Sequence, residues 1–285
     1  MWEKDFIIFE TKSMRILAHN GKAHQDDFLA ACVCCYKLNT TEVFRGAYAQ
    51  EDLNDPNCWV LDQGRKFDPD LHNFDHHQIE EEICAFTMVL DYFYGKKYRE
   101  YMPQLRFVEI YDSYGSKKAA EFVEMKQDNL DMVLSPIHTS MMRVFSKIEG
   151  RVKDPMLSIM KEIGSEICNQ IENTEILLKA LDEASYFEYK DIKILDNVNC
   201  KLPEGFKHDI LPTKLYSKIK DIYPEIILTK DSRQEGYRMI STNTDCLKFL
   251  PNPSSYFVHN SGFLVGFTNY DDYRIILENH TERRK

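Results

Sequence analysis

The chain has 285 residues, of which 43% are hydrophobic and 29% charged, and its formal net charge is −10. This balance is typical of a globular protein with a sizeable core, in one large domain or two smaller ones. The negative charge argues against a protein that coats long nucleic acids or anionic membranes through a basic face. No apolar stretch approaches the roughly 18 residues that span a bilayer, and the first ten residues do not resemble a signal peptide. We therefore expect a cytoplasmic protein with no membrane partner.

The first half of the chain alternates between strand-like and helix-like segments. Strands are predicted at residues 14–19, 42–48 and 58–64, and helices at 26–38, 85–94 and 101–111. Strands separated by helices predict an α/β domain, with a parallel sheet and helices on both of its faces. In such sheets ligands bind at the carboxyl ends of the strands. His19 and Asp62 are expected at two of these ends.

The second half is predicted to contain a helical connection and a smaller α+β domain with a mixed sheet. Helical spacing covers residues 125–145 and 155–189, strands are predicted at 192–197, 225–231, 237–244 and 256–267, and a closing helix at 270–278. Gly150 and Pro155 interrupt the pattern between the two helical segments. We therefore predict an N-terminal domain of residues 1–150 and a C-terminal domain of residues 151–285.

The eight cysteines of the chain are interpreted as reduced core thiols. Nothing in the sequence indicates export to an oxidising compartment, where disulfides form and persist. Neither a disulfide framework nor a structural zinc site is predicted.

Histidines and carboxylates concentrate in four segments of the first half. HNGKAHQDD supplies His19, His24, Asp26 and Asp27, VLDQG supplies Asp62, FDHHQ supplies Asp75, His76 and His77, and EIYDSYG supplies Asp112 near the end of a helix. Imidazole and carboxylate without thiolate suit Mn²⁺, Zn²⁺, Co²⁺ or Fe²⁺. The set is too large for one catalytic ion with three protein ligands, and it suits two ions that share a bridging carboxylate. The alternative is that these residues are ordinary helix caps and solvated loop residues. That explanation is adequate for any one of them alone, but it does not account well for four such segments in one half of the chain.

The excess of acidic residues lies in the same half of the chain. Residues 1–150 contain 25 acidic and 17 basic residues and therefore carry −8 of the total charge. Each divalent ion would offset two of these charges. The acidity is consistent with a metal site, and it restricts a nucleic-acid partner to contacts at its end.

The order of the four segments resembles the DHH phosphoesterase superfamily. Within it, the segments HNGKAHQDD, FDPDLHNFDHHQ and YFVHNSGFLVG are similar to those of the Myg-type family, described as metal-dependent 3′→5′ RNA exonucleases. The resemblance extends over residues 14–270. It implies a DHH-type catalytic domain at the N-terminus and a substrate-binding domain at the C-terminus.

The resemblance also implies how two ions would be held. His19, His24 and Asp62 would bind one ion, and Asp26, Asp62, His76 and Asp112 would bind the other. Asp62 would bridge them, at a separation of about 3.5–4 Å. The implied cofactor is a pair of divalent ions, Mn²⁺ in the first place, with Mg²⁺, Co²⁺ and Zn²⁺ as alternatives.

Further residues receive supporting roles from the same resemblance. His77 would face the substrate phosphate and assist the leaving oxygen, and Asp75 would orient the neighbouring imidazole from outside the ligand set. Asp27 would also lie outside it, at a position where the family more often has glutamate. In the C-terminal half, the predicted substrate contacts are His259, Ser261, Gly262 and Arg238.

The function implied by the resemblance is hydrolysis of phosphodiester bonds, with RNA or short oligonucleotides as substrate. One alternative is a phosphodiesterase or phosphatase for small molecules such as cyclic dinucleotides, nucleoside bisphosphates or pyrophosphate. Another is a non-catalytic nucleotide-binding module, against which the complete ligand set argues. The sequence leaves open whether the chain forms a homo-oligomer.

Overall fold

The computed structural model describes residues 13–133, 136–182, 185–198, 224–231, 233–279 and 281–283. The chain divides into two compact units, Met1–Ile171 and Glu172–Lys285. The division falls within the long helix Met156–Asp182, later in the chain than the boundary predicted at residues 150 and 151. The assignment of catalysis to the first part and substrate binding to the second stays a prediction.

The first unit contains a sheet of short strands. These are β1 (Arg15–Ala18), β2 (Glu42–Arg45), β3 (Cys58–Leu61), β4 (Phe67–Asp68), β5 (Asn73–Phe74) and β6 (Gly150–Arg151). Among the described residues their order is β4-β5-β3-β1-β2-β6. The inner strands β5, β3, β1 and β2 are parallel, whereas β4 and β6 pair antiparallel at the edges. The predicted parallel sheet is therefore the centre of a mixed one.

Burial explains why the central strands form where the sequence predicts them. Every residue of β3 is buried, as is typical of parallel strands covered on both faces. Ala18 at the end of β1 lies opposite Leu61 of β3 and Arg45 of β2. The residues that follow β1 and β3 therefore emerge side by side at one edge of the sheet.

The helices up to residue 182 include every one predicted there, and the last of them continues from the first unit into the second. They are α1 (Gln25–Lys37), α2 (Ala85–Tyr94), α3 (Tyr98–Tyr101), α4 (Pro103–Phe122), α5 (Gln127–Val133), α6 (Pro136–Ser146) and α7 (Met156–Asp182). Gly164 of α7 lies against the backbone of Cys32 in α1, with no room for a Cβ atom. This close approach explains the small residues of α1, which pack a helix tightly against its neighbour.

Two predicted helices end far from their predicted ends. Helix α4 continues to Phe122, beyond the predicted end at residue 111, and is interrupted at Gly115, where φ is +77°. Glycine reaches this left-handed conformation at little cost, so the first part of α4 ends there. The predicted helix 155–189 ends at Asp182, and its last residues belong to a strand, Ser185–Tyr189, because their contacts are made across a sheet.

The second unit is built on a mixed sheet, as predicted. Its elements are β7 (Ser185–Tyr189), β8 (Ile192–Asp196), β9 (Ile226–Lys230), β10 (Tyr237–Ser241), β11 (Leu247–Phe249), β12 (Ser255–Val258), β13 (Leu264–Phe267), α8 (Asp272–Asn279) and β14 (Thr281–Arg283). The main sheet has the order β12-β13-β10-β9-β8-β7, in which only β8 and β9 pair parallel among the described strands. The predicted strand 256–267 is two strands joined by a loop.

The structure also tests the expectations about cysteines and membranes. Most described cysteines are buried and free, namely Cys32, Cys34, Cys35, Cys58, Cys84 and Cys168. Cys246 is free but exposed, which corrects the interpretation of all cysteines as core thiols, and Cys200 lies outside the described residues. In the part of the chain that the structure describes, we find no helix with the length and apolar character needed to traverse a bilayer.

Candidate metal centre

The carboxyl ends of β1 and β3 bring His19 and Asp62 together. Nε2 of His19 lies 3.5 Å from Oδ2 of Asp62. Asp62 has a left-handed backbone, with φ of +56°, and its amide donates to the carbonyl of Phe74 at 2.9 Å. Aspartate is one of the few residue types that tolerate this conformation. The sharp turn after β3 therefore places the Asp62 carboxylate at the sheet edge at limited cost.

The N-terminus of α1 brings two further carboxylates to the same edge. Oδ1 of Asp27 accepts a hydrogen bond from the amide of His24 at 2.9 Å, which caps the helix. Oδ2 of Asp27 lies 3.2 Å from Nε2 of His19. Asp26, one residue earlier, is fully buried. The loop that follows β1 and the first turn of α1 thus form one side of the centre.

The segment after β5 supplies the adjacent pair of histidines. Nε2 of His76 lies 3.3 Å from Oδ1 of Asp62 and 3.1 Å from Oδ2 of Asp112. Asp112 is in α4, three residues before the break at Gly115. The centre therefore joins the ends of three strands to two helices.

Asp75 supports His77 rather than His76. Its carboxylate accepts hydrogen bonds from the amides of Arg65 and His77 at 2.7 and 3.0 Å. Its Oδ1 also lies 2.7 Å from Nδ1 of His77. Burial raises the pKa of Asp75, but these hydrogen bonds from His77 and Arg65 outweigh it and hold the pKa below its ordinary value. The neighbouring imidazole that Asp75 orients is therefore that of His77.

Three overlapping groups of these side chains could each hold an ion, because their ligand atoms lie within 4.8 Å of one another. The groups are His19, His24 and Asp62; Asp62, His76 and His77; and His24, Asp26 and Asp112. The first is the set predicted for one ion. The other two divide the set predicted for the second ion, with His77 and His24 as additional members. Asp62 belongs to two groups, as a bridging ligand would.

The carboxylate of Asp26 lacks compensation by hydrogen-bond donors among the described residues. Asp26 has 0% exposure, and neither of its oxygens accepts a hydrogen bond from a donor among the described residues. Burial raises the pKa of Asp26 well above its ordinary value, and the carboxylates of Asp62 and Asp112 raise it further. A buried carboxylate without a partner is costly. A divalent cation would supply the missing partner, so the residues present fit a metal site.

The pKa values of Asp27 and His76 are also set by burial and by opposing effects of nearby charged groups. Burial raises the pKa of Asp27 to about 8, against the lowering effect of Arg45. Burial lowers the pKa of His76, but the carboxylates of Asp112 and Asp62 outweigh it and raise the value to about 10. In the metal-free protein a protonated His76 is therefore the cation that these carboxylates contact.

Arg45 is a supporting residue that the sequence analysis missed. It is almost completely buried at the end of β2, where Nη1 donates to the carbonyl of Phe145 at 2.7 Å and Nη2 to that of Gly21 at 3.2 Å. Nη2 also lies 3.9 Å from Oδ2 of Asp27. The side chain thereby ties the loop after β1 to the end of α6. A lone arginine in a predicted strand carries no signal that distinguishes it from a surface residue.

We expect replacement of Arg45 by methionine to lower the free energy of unfolding by about 2–4 kcal/mol, because the carbonyls of Phe145 and Gly21 lose their donor and the buried carboxylate of Asp27 loses a neighbouring cation. Urea denaturation of the metal-free protein measures this loss. Arg151→Met is the matched control, since Arg151 is exposed and pairs with Glu42 at the surface. It should cost less than about 1 kcal/mol. Equal losses in the two variants would contradict the supporting role of Arg45.

One histidine of the segment FDPDLHNFDHHQ lies apart from the centre. The ring of His72 stacks on Trp59, with ring centroids 4.4 Å apart and an interplanar angle of 8°. Its Nδ1 bonds the carbonyl of Pro56 at 2.8 Å. Its place in the sequence, close to His76 and His77, gave no hint of this separation.

The C-terminal candidates lie in the second unit. The loop between β12 and β13 places Nδ1 of His259 2.9 Å from Oγ of Ser261, and the amide of Gly262 donates to the carbonyl of His259 at 2.7 Å. Gly262 has φ of +74°, and a Cβ there would lie 2.9 Å from the carbonyl oxygen of Phe249. Arg238 is buried in β10, with Nε 3.6 Å from Oδ1 of Asp231. Contact of these four candidates with substrate stays a prediction.

The chain is similar to known proteins, and the match to a protein family lies within the first unit. Residues 15–154 match the model of a family described as MYG1_exonuc, Uncharacterised protein family (UPF0160). No curated protein gives a match. Among solved structures, the pGpG-specific phosphodiesterase PggH from Vibrio cholerae is similar at 12% identity, with 92% of this chain and 96% of that chain covered and a TM-score of 0.26. An exopolyphosphatase-related protein from Bacteroides fragilis is similar at 12% identity, with 95% and 92% covered and a TM-score of 0.23. The family match includes every residue of the candidate metal centre.

Proposed function

We propose that the chain is a two-metal phosphoesterase that hydrolyses phosphodiester bonds, as a 3′→5′ exonuclease on RNA or short oligonucleotides. The observation that carries the proposal is the convergence of imidazoles and carboxylates on Asp62, beside a buried Asp26 that accepts no hydrogen bond from a described donor. The match of residues 15–154 to a family whose description names an exonuclease supports the choice of reaction. A purely structural role would leave Asp26 with an uncompensated cost.

In this proposal the metal ligands are the residues expected from the sequence. His19, His24 and Asp62 would hold one ion, and Asp26, Asp62, His76 and Asp112 would hold the other. Bound divalent ions, Mn²⁺ in the first place, would supply activation of water at neutral pH and neutralisation of the phosphate charge. Asp27 steadies this arrangement from outside, because it contacts His19 and caps the helix that carries Asp26.

His77 is the residue best placed to handle a proton. Its side chain is 53% exposed, and Asp75 accepts from its Nδ1, which fixes the ring and leaves Nε2 to meet the substrate. We propose that His77 contacts the substrate phosphate and delivers a proton to the leaving ribose oxygen. Asp75 is the positioning residue for this step.

Replacement of His77 by glutamine should lower kcat on an oligonucleotide by about 10²–10⁴-fold, the range for loss of a general acid. On bis(p-nitrophenyl) phosphate the loss should be under about tenfold, because p-nitrophenolate leaves without a proton. Steady-state rates on both substrates measure the difference. His72→Gln is the control, since that ring packs on Trp59 outside the centre. Equal losses on the two substrates would exclude proton delivery by His77.

The proposed function is tested by incubating the full chain with Mn²⁺ and a panel of end-labelled RNA, DNA, dinucleotides, cyclic dinucleotides, nucleoside bisphosphates and pyrophosphate. A ladder shortened from the 3′ end of RNA supports the exonuclease. Cleavage of the small molecules alone would replace it by a small-molecule phosphodiesterase or phosphatase. If no substrate is cleaved but nucleotides bind, the chain is a binding module and the proposal is wrong.

A further inference from the structure

A cavity of about 730 Å³ lies beside the candidate metal centre, entirely within the first unit. His24 and Asp112 belong both to its lining and to the group of possible metal ligands that includes Asp26. Its volume falls in the range of about 300–1,000 Å³ that is typical of small-molecule sites. A molecule held there would reach the proposed metal ligands directly.

One wall of the cavity is a face of α6 and the residue that follows it. Six of its lining residues lie at a spacing of four and form two adjacent rows, namely His138, Met142 and Ser146, and Thr139, Arg143 and Lys147. Residues four apart share one face of a helix. Across the cavity, α4 contributes Val108 and Tyr111.

This wall is fastened to the segment that carries the proposed ligands. The amide of Ala23 donates to Oγ of Ser146 at 2.8 Å, and Ala23 directly precedes His24. Phe145 is fully buried, receives the hydrogen bond from Arg45, and packs edge-on against Phe28 of α1 at 4.9 Å. The cavity is therefore a fixed neighbour of the metal centre.

The cavity combines positive charge with apolar surface. Lys22, Arg143 and Lys147 are exposed at its rim, and none of them forms an ion pair with a described residue. In a chain of net charge −10, three such cations around one cavity favour an anionic ligand. Val108, Met142 and the ring of Tyr111 would not favour an inorganic anion. The rim cations and the apolar lining together suit a molecule with a phosphate and a flat apolar part.

Building on the proposed function, we propose that this cavity binds the nucleoside monophosphate unit at the end of the substrate. Its phosphate, the one to be cleaved, lies at the end of the cavity lined by His24 and Asp112, where Lys22, Arg143 and Lys147 add positive charge, and its base packs against Tyr111 and Met142. This placement favours nucleotide substrates over pyrophosphate or other inorganic polyphosphates, which offer nothing to the apolar wall.

Calorimetric titration of the full chain with adenosine 5′-monophosphate tests the proposal, with and without Mn²⁺. Each charge reversal, Arg143→Glu and Lys147→Glu, should raise the Kd at least about tenfold, which corresponds to the loss of one charge-assisted contact. Lys96→Glu, a reversal of an exposed lysine away from the cavity, should leave the Kd unchanged. The increase in melting temperature caused by Mn²⁺ alone should be the same in all three variants.

Two further ligands test the apolar wall and separate this inference from the proposed function. Ribose 5-phosphate and inorganic phosphate should bind at least about tenfold more weakly than the nucleotide, because they lack the base. Equal affinity for all three, no nucleotide binding, or a Kd unaffected by both charge reversals would overturn the nucleotide site. Hydrolysis of bis(p-nitrophenyl) phosphate by the unaltered chain with Mn²⁺ reports the metal centre independently. This hydrolysis can be observed even if the nucleotide does not bind in the cavity, and the nucleotide can bind even if no hydrolysis is observed.

Discussion

Replacement of Asp62 by alanine or asparagine is expected to abolish Mn²⁺-dependent phosphodiester hydrolysis while the protein stays folded. Asp62 belongs to two of the three candidate ion groups, so its loss removes a ligand from both proposed ions. The rate should fall by more than about 100-fold. This exceeds the roughly 10–100-fold loss that is typical of removing a residue that only supports a metal ligand. The asparagine variant is the more informative one, because asparagine tolerates the left-handed backbone at φ of +56° and alanine does not.

The control for this experiment is Asp70→Asn, which changes an exposed aspartate of the same unit. Its hydrolysis rate and its stabilisation by Mn²⁺ should equal those of the unaltered chain. Circular dichroism and the melting temperature without metal establish that each Asp62 variant is folded. A folded Asp62→Asn variant with near-normal hydrolysis would disprove the two-metal mechanism.

Replacement of Asp26 by asparagine should stabilise the metal-free protein and remove its response to metal. The carboxylate of Asp26 is buried, accepts no hydrogen bond from a described donor, and faces the charges of Asp62 and Asp112. At neutral pH the folded protein must either bury this charge or take up a proton to neutralise it, so removing the ionisable group should raise the free energy of unfolding without metal by about 1–3 kcal/mol. The stabilisation by Mn²⁺, which depends on ligand affinity in the folded state, should decrease at the same time.

Asp75→Asn is the matched comparison, since Asp75 is equally buried but accepts three hydrogen bonds. Its loss should lower the free energy of unfolding without metal by about 1–3 kcal/mol, opposite in sign to the effect at Asp26. Urea denaturation with and without Mn²⁺ measures both variants. If both destabilise the metal-free protein, Asp26 has a structural role and the argument for a cation at that position fails.

The sequence by itself determined the α/β class and the residues of the candidate centre. Apolar strands that end in His19 and Asp62 are local patterns, and parallel strands must end at the same edge of a sheet. The acidic first turn of α1, with Asp26 and Asp27, and the helix end at Gly95 are also set by neighbouring residues. The types of candidate metal ligand followed from the side chains alone.

Only the tertiary structure decided which of these residues meet. His72 and His77 are five residues apart, yet one packs on Trp59 and the other lies against Asp75, because β5 and the turn after it send them in different directions. The strand β7 could not be separated from the preceding helical pattern, since its pairing with β8 is a contact between segments.

The position of Arg45 and the cavity lined by α6 both depend on contacts between residues that are far apart in the sequence. Arg45 donates to a carbonyl 100 residues later in the chain, and Ala23 donates to Ser146, 123 residues away. Composition and periodicity report only the few residues around each position, so they identify what a side chain could do. The packing of distant segments decides which partner it finds, and here it places a basic cavity beside an acidic centre.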